Sequence, residues 1–152
     1  MSRDIDTLAR TLWGEARGEG VAGMEAVASV IMNRRRLAER YVEDRRQERW
    51  REKPLRHPLF GDGTVATVCT APWQFSCWNP DDPNRNKLSR VSESDDQWFA
   101  AALDVARRAV AGKIEDRTGG ADHYHTKAIK PKWAEGRTPT ATIGWHVFYK
   151  LG

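Results

Sequence analysis

Two helical patterns meet at a run of glycines, Gly14, Gly18 and Gly20, and the junction carries two carboxylates, Glu15 and Glu19, four residues apart. From Asp4 to Arg17 the apolar residues Ile5, Leu8 and Leu12 recur at helical spacing, so a helix there turns Glu15 to the same side as Leu8 and Leu12. An acid facing a core either ionises against a large desolvation penalty or keeps its proton to unusually high pH. The second behaviour is that of a general acid working near neutrality. The competing reading has both glutamates pairing with Arg17 or a distant arginine merely to close the helix. The glycines favour chemistry: a helix end needs one, whereas three leave bare backbone beside the acids where a ligand can approach.

Beyond this junction, Met24, Val27, Ala28 and Ile31 predict a second helix from Val21, packed on the first, until Asn33-Arg34-Arg35-Arg36 turns the pattern polar. Residues 34–57 hold ten Lys or Arg against five Asp or Glu, which is more than the whole chain's net charge of +4. Leu37, Tyr41 and Trp50 are too sparse for an apolar face, so the segment reads as a basic insertion or solvated helical extension ending at Pro54 and Pro58. Gly61-Asp62-Gly63 is a turn, after which Thr64 caps a short helix through Val65, Val68 and Cys69 that stops before Pro72. The aromatic and polar run Trp73 to Trp78 suggests one wall of a site, and Asn79 to Lys87 reads as a loop. A long helix from Asp95 to Ala111 follows, with a buried stripe of Trp98, Ala101, Ala102, Val105, Ala109 and Val110, and Gly112 as its stop. Ala121 to Thr126 and Thr142 to Tyr149 are expected to pair antiparallel. The fold class is therefore α+β, mainly α, as a single domain over 1–152 with a small antiparallel β element near the C-terminus.

Composition narrows the function. No apolar run is long enough for a membrane span, and the charged start Arg3-Asp4-Ile5-Asp6 is unlike a signal peptide, so synthesis in the cytoplasm is expected. Seven tryptophans supply flat apolar faces suited to sugars or bases. The basic excess suits an anionic partner, but the five interspersed acids argue against nucleic acid, and no nucleic-acid partner is expected. His123, His125 and His146 fall in the strand candidates and raise the question of zinc. No metal-binding signature accompanies them, so neither metal nor cofactor is expected. Cys69 and Cys77 read as reduced, partly buried thiols.

The residues that carry a family resemblance are Leu8 to Gly20, Gly23 to Arg34, Gln74-Phe75-Ser76, His123-Tyr124-His125 and Ile143 to Tyr149. Together they resemble the cell wall hydrolase family typified by the spore cortex-lytic enzymes SleB and CwlJ, whose catalytic domain also occurs in phage and gene-transfer-agent lysins. The resemblance implies a lysozyme-like fold that cleaves the peptidoglycan β-1,4 bond between N-acetylmuramic acid and N-acetylglucosamine, with Glu15 as general acid, then base. It further implies a lytic transglycosylase, in which the muramic acid 6-hydroxyl closes on its own anomeric carbon. Glu19, Gln74, Phe75, Tyr124, His125 and His146 are the expected substrate contacts. A hydrolytic muramidase, a zinc amidase built on the histidines, and a non-catalytic wall- or nucleic-acid-binding module are the alternatives. A monomeric, phage-like endolysin that reaches the cell wall, in the periplasm, after release is the expected biological setting, with residues 34–57 touching anionic envelope polymer. Those residues are longer and more basic than the family's usual link, and Trp145 stands where a basic or polar residue is more usual.

Overall fold

The computed structural model describes residues 2–48 and 55–152. Helix α1 (Arg3–Ala16) starts at Ser2, whose hydroxyl accepts the Ile5 amide at 3.1 Å, and carries Asp4 and Asp6 in its first turn, where the helix dipole favours them. Asp4 also accepts the Ala66 amide at 2.8 Å, so it helps to cap the short helix α3 (Val65–Thr70), whose own cap is Thr64 as expected. After α1 the chain makes one 3-10 turn, Arg17–Glu19, and leaves it through Gly20 at a φ of 72°, which suits glycine.

Helix α2 (Gly20–Gln47) is one continuous helix of 28 residues. Its first half is buried almost all round, through Met24, Val27, Val30 and Ile31, against α1, α3 and helix α5 (Gln97–Val110). The expected helical extension is thus present as far as Gln47, but it is not wholly solvated: Arg34, Ala38 and Val42 continue the inner face at four-residue spacing and are buried. Trp50 and Pro54 lie outside the described residues.

Three other expectations change. The expected loop from Asn79 to Lys87 gives way at its end to helix α4 (Arg85–Arg90), which Leu88 anchors in the core. Helix α5 buries Phe99, Leu103 and Ala106 with Ala102, Val105 and Ala109, while Trp98 and Val110 are exposed. The cap Asp96, which accepts the amides of Trp98 and Phe99, leaves Trp98 on the outer side of the first turn. The β element has three strands: β1 (His123–Thr126), β2 (Ala141–Ile143) and β3 (His146–Tyr149), in the order β1-β3-β2 and all antiparallel. Gly144, at a φ of 56°, and Trp145 fold the expected single strand 142–149 back on itself.

The sheet's inner face meets α2 through Phe148, Ala26, Val30 and Ala121. The result is a mainly helical α+β architecture in which the end of α1, the 76–78 turn and the inner face of β1 converge.

Candidate active site

Glu15 occupies the last turn of α1, and its two oxygens have different neighbours. The Cys77 amide donates to Oε1 at 3.4 Å, and the Tyr124 hydroxyl donates to Oε2 at 3.4 Å. Burial pushes the Glu15 carboxyl above the ordinary carboxylate range, and the negative charge of Asp82 pushes the same way. The bonds from Cys77 and Tyr124 pull it back without cancelling the effect. Burial, with the charge of Glu15, holds the Tyr124 phenol well above its usual value, so it stays a donor. Protonated, Glu15 can give a proton to a basic leaving oxygen; ionised, it is held by two donors.

Cys77 reaches Glu15 because residue 14 has no side chain. A Cβ on Gly14 would stand 2.7 Å from the Cys77 Cβ and 3.0 Å from its Sγ. This glycine therefore admits a neighbouring loop and does not leave backbone bare for a ligand, whereas Gly18 and Gly20 do face open space. The loop is a 3-10 turn, Ser76–Trp78, pinned where the Trp78 indole donates to the Thr11 hydroxyl at 2.9 Å. Both cysteines are free and buried.

Arg17 pairs with neither glutamate. Its guanidinium lies 4.0 Å over the Trp13 ring and donates to the Trp13 carbonyl and to Asn84 Oδ1. Glu19 turns toward the β2–β3 hairpin, where both its oxygens accept the Trp145 amide, at 3.2 and 3.0 Å. A Cβ on Gly144 would collide with that carboxylate. Glu19, expected among the substrate contacts, thus fastens a turn.

Strand alternation sorts the remaining candidates. Tyr124 shares the inner face of the sheet with His146 and Phe148, its ring 5.0 Å from that of His146. His146 is 5% exposed, its Nδ1 has no partner, and burial lowers its pKa, so it is a neutral ring packed against Tyr124 and not a group lining open space. His123 and His125 take the opposite face, beside Trp133. His125 bonds the Tyr149 hydroxyl at 3.1 Å and the Thr126 carbonyl at 2.7 Å, so the structure does not bring it together with Glu15. His123 is held by Asp122 at 2.8 Å. Among the described residues no three His, Cys, Asp or Glu side chains gather as metal ligands.

Phe75 is 2% exposed and lies beneath the Arg34 guanidinium at 5.2 Å, with Phe60 at 5.0 Å from the same group. It is a core ring that also lines a neighbouring cleft. Gln74 is half-buried next to it in the turn, its backbone amide donating to the Ala71 carbonyl.

Sequence reasoning has Cys77 in the expected wall of a site but misses two residues near Glu15, Asp82 and Arg34. Arg34, expected in a solvated basic run, is 5% exposed; its Nε donates to the Asp122 carbonyl at 2.7 Å and its Nη1 has no partner. The signal is present in the four-residue spacing that continues through Ala38 and Val42. Asp82 sits in the Pro/Asp/Asn loop, where nothing local in sequence ties it to Glu15.

Comparison with known proteins bears on the family and the fold. The chain is 30% identical over 151 residues to the spore cortex-lytic enzyme of Bacillus subtilis, and 30% identical over 150 residues to that of Oceanobacillus iheyensis. It aligns over 97% of its own length in both cases, yet spans only 37% and 41% of those relatives. Among solved structures it is similar to the catalytic domain of the germination-specific lytic transglycosylase SleB from Bacillus anthracis, with a TM-score of 0.64, 25% identity, and coverage of 99% of this chain and 96% of that one. The SleB catalytic domain of Bacillus cereus matches with a TM-score of 0.65 and 25% identity, over 99% of this chain and 91% of that one. The fold is therefore the lysozyme-like one of those domains. The family model described as Cell Wall Hydrolase matches residues 53–149, which include Cys77, Asp82, Tyr124 and His146, and this chain belongs to the cell wall hydrolase family.

Proposed function

We propose that the protein cleaves the β-1,4 bond between N-acetylmuramic acid and N-acetylglucosamine in peptidoglycan glycan strands, with Glu15 as the general acid and then the base. The observation that carries this reading is a carboxyl group whose pKa burial raises and whose two oxygens each meet a hydrogen-bond donor. In the first step Glu15 protonates the departing glycosidic oxygen. In the second the carboxylate, steadied by the Cys77 amide and the Tyr124 hydroxyl, takes the proton of the muramic acid 6-hydroxyl as that oxygen bonds to the anomeric carbon. One carboxylate suffices for such an intramolecular closure because no water has to be activated. Similarity to the Bacillus anthracis domain, which is that of a lytic transglycosylase, supports this outcome.

A hydrolytic muramidase is the second reading, and Asp82 favours it. A hydrolase of this kind needs a second carboxylate across the sugar, and the charge of Asp82 is felt at Glu15. Mass spectrometry of muropeptides released from purified sacculi separates the two. Anhydro-muramic ends support the transglycosylase; reducible muramic ends with loss of activity in Asp82→Asn support the muramidase; free stem peptides sink both.

On the same reading the biological setting is that of a phage or phage-like lysin, made in the cytoplasm and acting at the wall after release. The basic excess of residues 34–57 would favour approach to an anionic envelope.

A further inference from the structure

A cleft beside the Glu15 site has a feature that the catalytic reading leaves unused. Ala71-Pro72-Trp73-Gln74 forms a tight turn closed by the Gln74 amide on the Ala71 carbonyl at 3.2 Å. Pro72 suits the second position of such a turn, but the third requires a positive φ and calls for glycine. Trp73 stands there at a φ of 67°, the one non-glycine residue among those described with a positive φ. The strain wins no packing in return, since Trp73 is 88% exposed and, among the described residues, no aromatic ring or cation lies against its indole. The other exposed tryptophans among the described residues differ: Trp98 lies in the first turn of a regular helix, and Trp145 has the Lys127 ammonium 5.8 Å from its ring.

The indole borders a cleft of about 330 Å³, walled by Phe75, Trp78 and Pro80 and edged by the polar residues Asn79 and Asp81. Trp78 and Phe75 lie one and two residues from Cys77, whose amide meets Glu15, so the segment that lines the cleft also supplies that contact. Its size lies near the lower end of ligand pockets and suits a single ring unit better than a length of polymer. A strained, exposed aromatic face beside two fixed apolar walls, with an amide and a carboxylate at the rim, matches an N-acetylated hexose: an apolar ring face to stack, and an acetamido N–H and hydroxyls to bond.

The geometry points to Trp73 as a stacking platform for one N-acetylhexosamine unit of the glycan strand, outside the bond that is cleaved. This rests on the glycan-cleaving reading of Glu15 and adds to it a residue that sets affinity for the strand. Trp73 holds the sugar and takes no part in proton transfer.

The test uses the full chain carrying Glu15→Gln, with and without Trp73→Gly, and a peptide-free oligosaccharide of alternating N-acetylglucosamine and N-acetylmuramic acid as the probe. Calorimetry is expected to show binding weakened about tenfold by Trp73→Gly. The same change should raise Tm because the strain is relieved, and Trp73→Phe should keep most of the affinity. A platform therefore predicts opposite movements of affinity and stability, whereas a merely structural tryptophan predicts loss of stability with unchanged affinity. Equal binding with and without Trp73 overturns the proposal, as does weakening confined to fragments that carry stem peptides. Sacculus cleavage by the parent, run in parallel, keeps the two readings apart: an inactive parent whose sugar binding still depends on Trp73 sinks the catalytic reading alone.

Discussion

Glu15 and Glu19 stand one helical turn apart, yet the regions they occupy use a carboxylate in opposite ways. At the end of α1, Glu15 is pressed against the 76–78 turn and Tyr124, where burial raises its pKa above the ordinary range and its two contacts are long, at 3.4 Å each. In the following 3-10 turn, Glu19 meets a backbone amide at 3.0 Å and clasps the β2–β3 hairpin. Two long contacts to a buried acid suit the proton transfer proposed for Glu15, whereas both oxygens of Glu19 accept one backbone amide and hold a turn. Distance along the chain is therefore a poor guide to role here; what decides is which loop folds over the acid.

The contrast can be broken most sharply at Glu15. Glu15→Gln should lower muropeptide release from sacculi by about a thousandfold, within the range for loss of a general acid, while circular dichroism stays that of the parent. Glu19→Ala should keep activity within about tenfold; if instead it matches Glu15→Gln, the division of labour is wrong. The next effect is at the contact that makes the Glu15 region. Gly14→Ala should cost roughly 1–3 kcal/mol in urea unfolding, since its methyl group must push Cys77 away, and activity should fall with it. Glu19→Ala should cost about 1–2 kcal/mol, with faster hydrogen exchange at the Trp145 amide than elsewhere in the sheet. The smallest effect concerns pH. Because the folded-state pKa of Glu15 is raised, the folded chain holds a proton that the unfolded chain gives up, and stability is lost as pH climbs from the unfolded value through the folded one. Glu15→Gln should therefore melt a few degrees above the parent at neutral pH, with the gap closing below about pH 4. A variant that melts lower at neutral pH would mean that the carboxylate is welcome where it sits.

Much of this arrangement is legible from local pattern. The helical spacing of Leu8 and Leu12 locates Glu15 on the inner side of α1, Thr64 announces α3, and Gly112 marks the end of α5. What escapes depends on contacts between segments far apart in sequence. Gly144 and Trp145 form a hairpin turn because Glu19 accepts the Trp145 amide, a partnership that nothing local to residues 142–149 reveals. The period of two in His123-Tyr124-His125 separates these residues onto opposite faces, but only α2 and Trp133 decide which face looks toward Glu15. Arg34 is hidden by its company: surrounded by charges in sequence, it follows the inner face of α2 to a place between two phenyl rings.

The buried cysteines have a consequence for how the molecule can be watched. Burial pushes the Cys69 thiol up to about 12 and raises that of Cys77 further, where the charge of Glu15 adds to the effect. Neither is a thiolate at neutral pH in the folded chain, so an alkylating reagent should find almost nothing to attack. Cys77 touches Glu15 from a short 3-10 turn, while Cys69 lies in the helical core, so the two thiols sample opening events of different extent. Comparing their labelling rates would time the parting of the 76–78 turn from α1 separately from unfolding of the core, with no probe added to the protein.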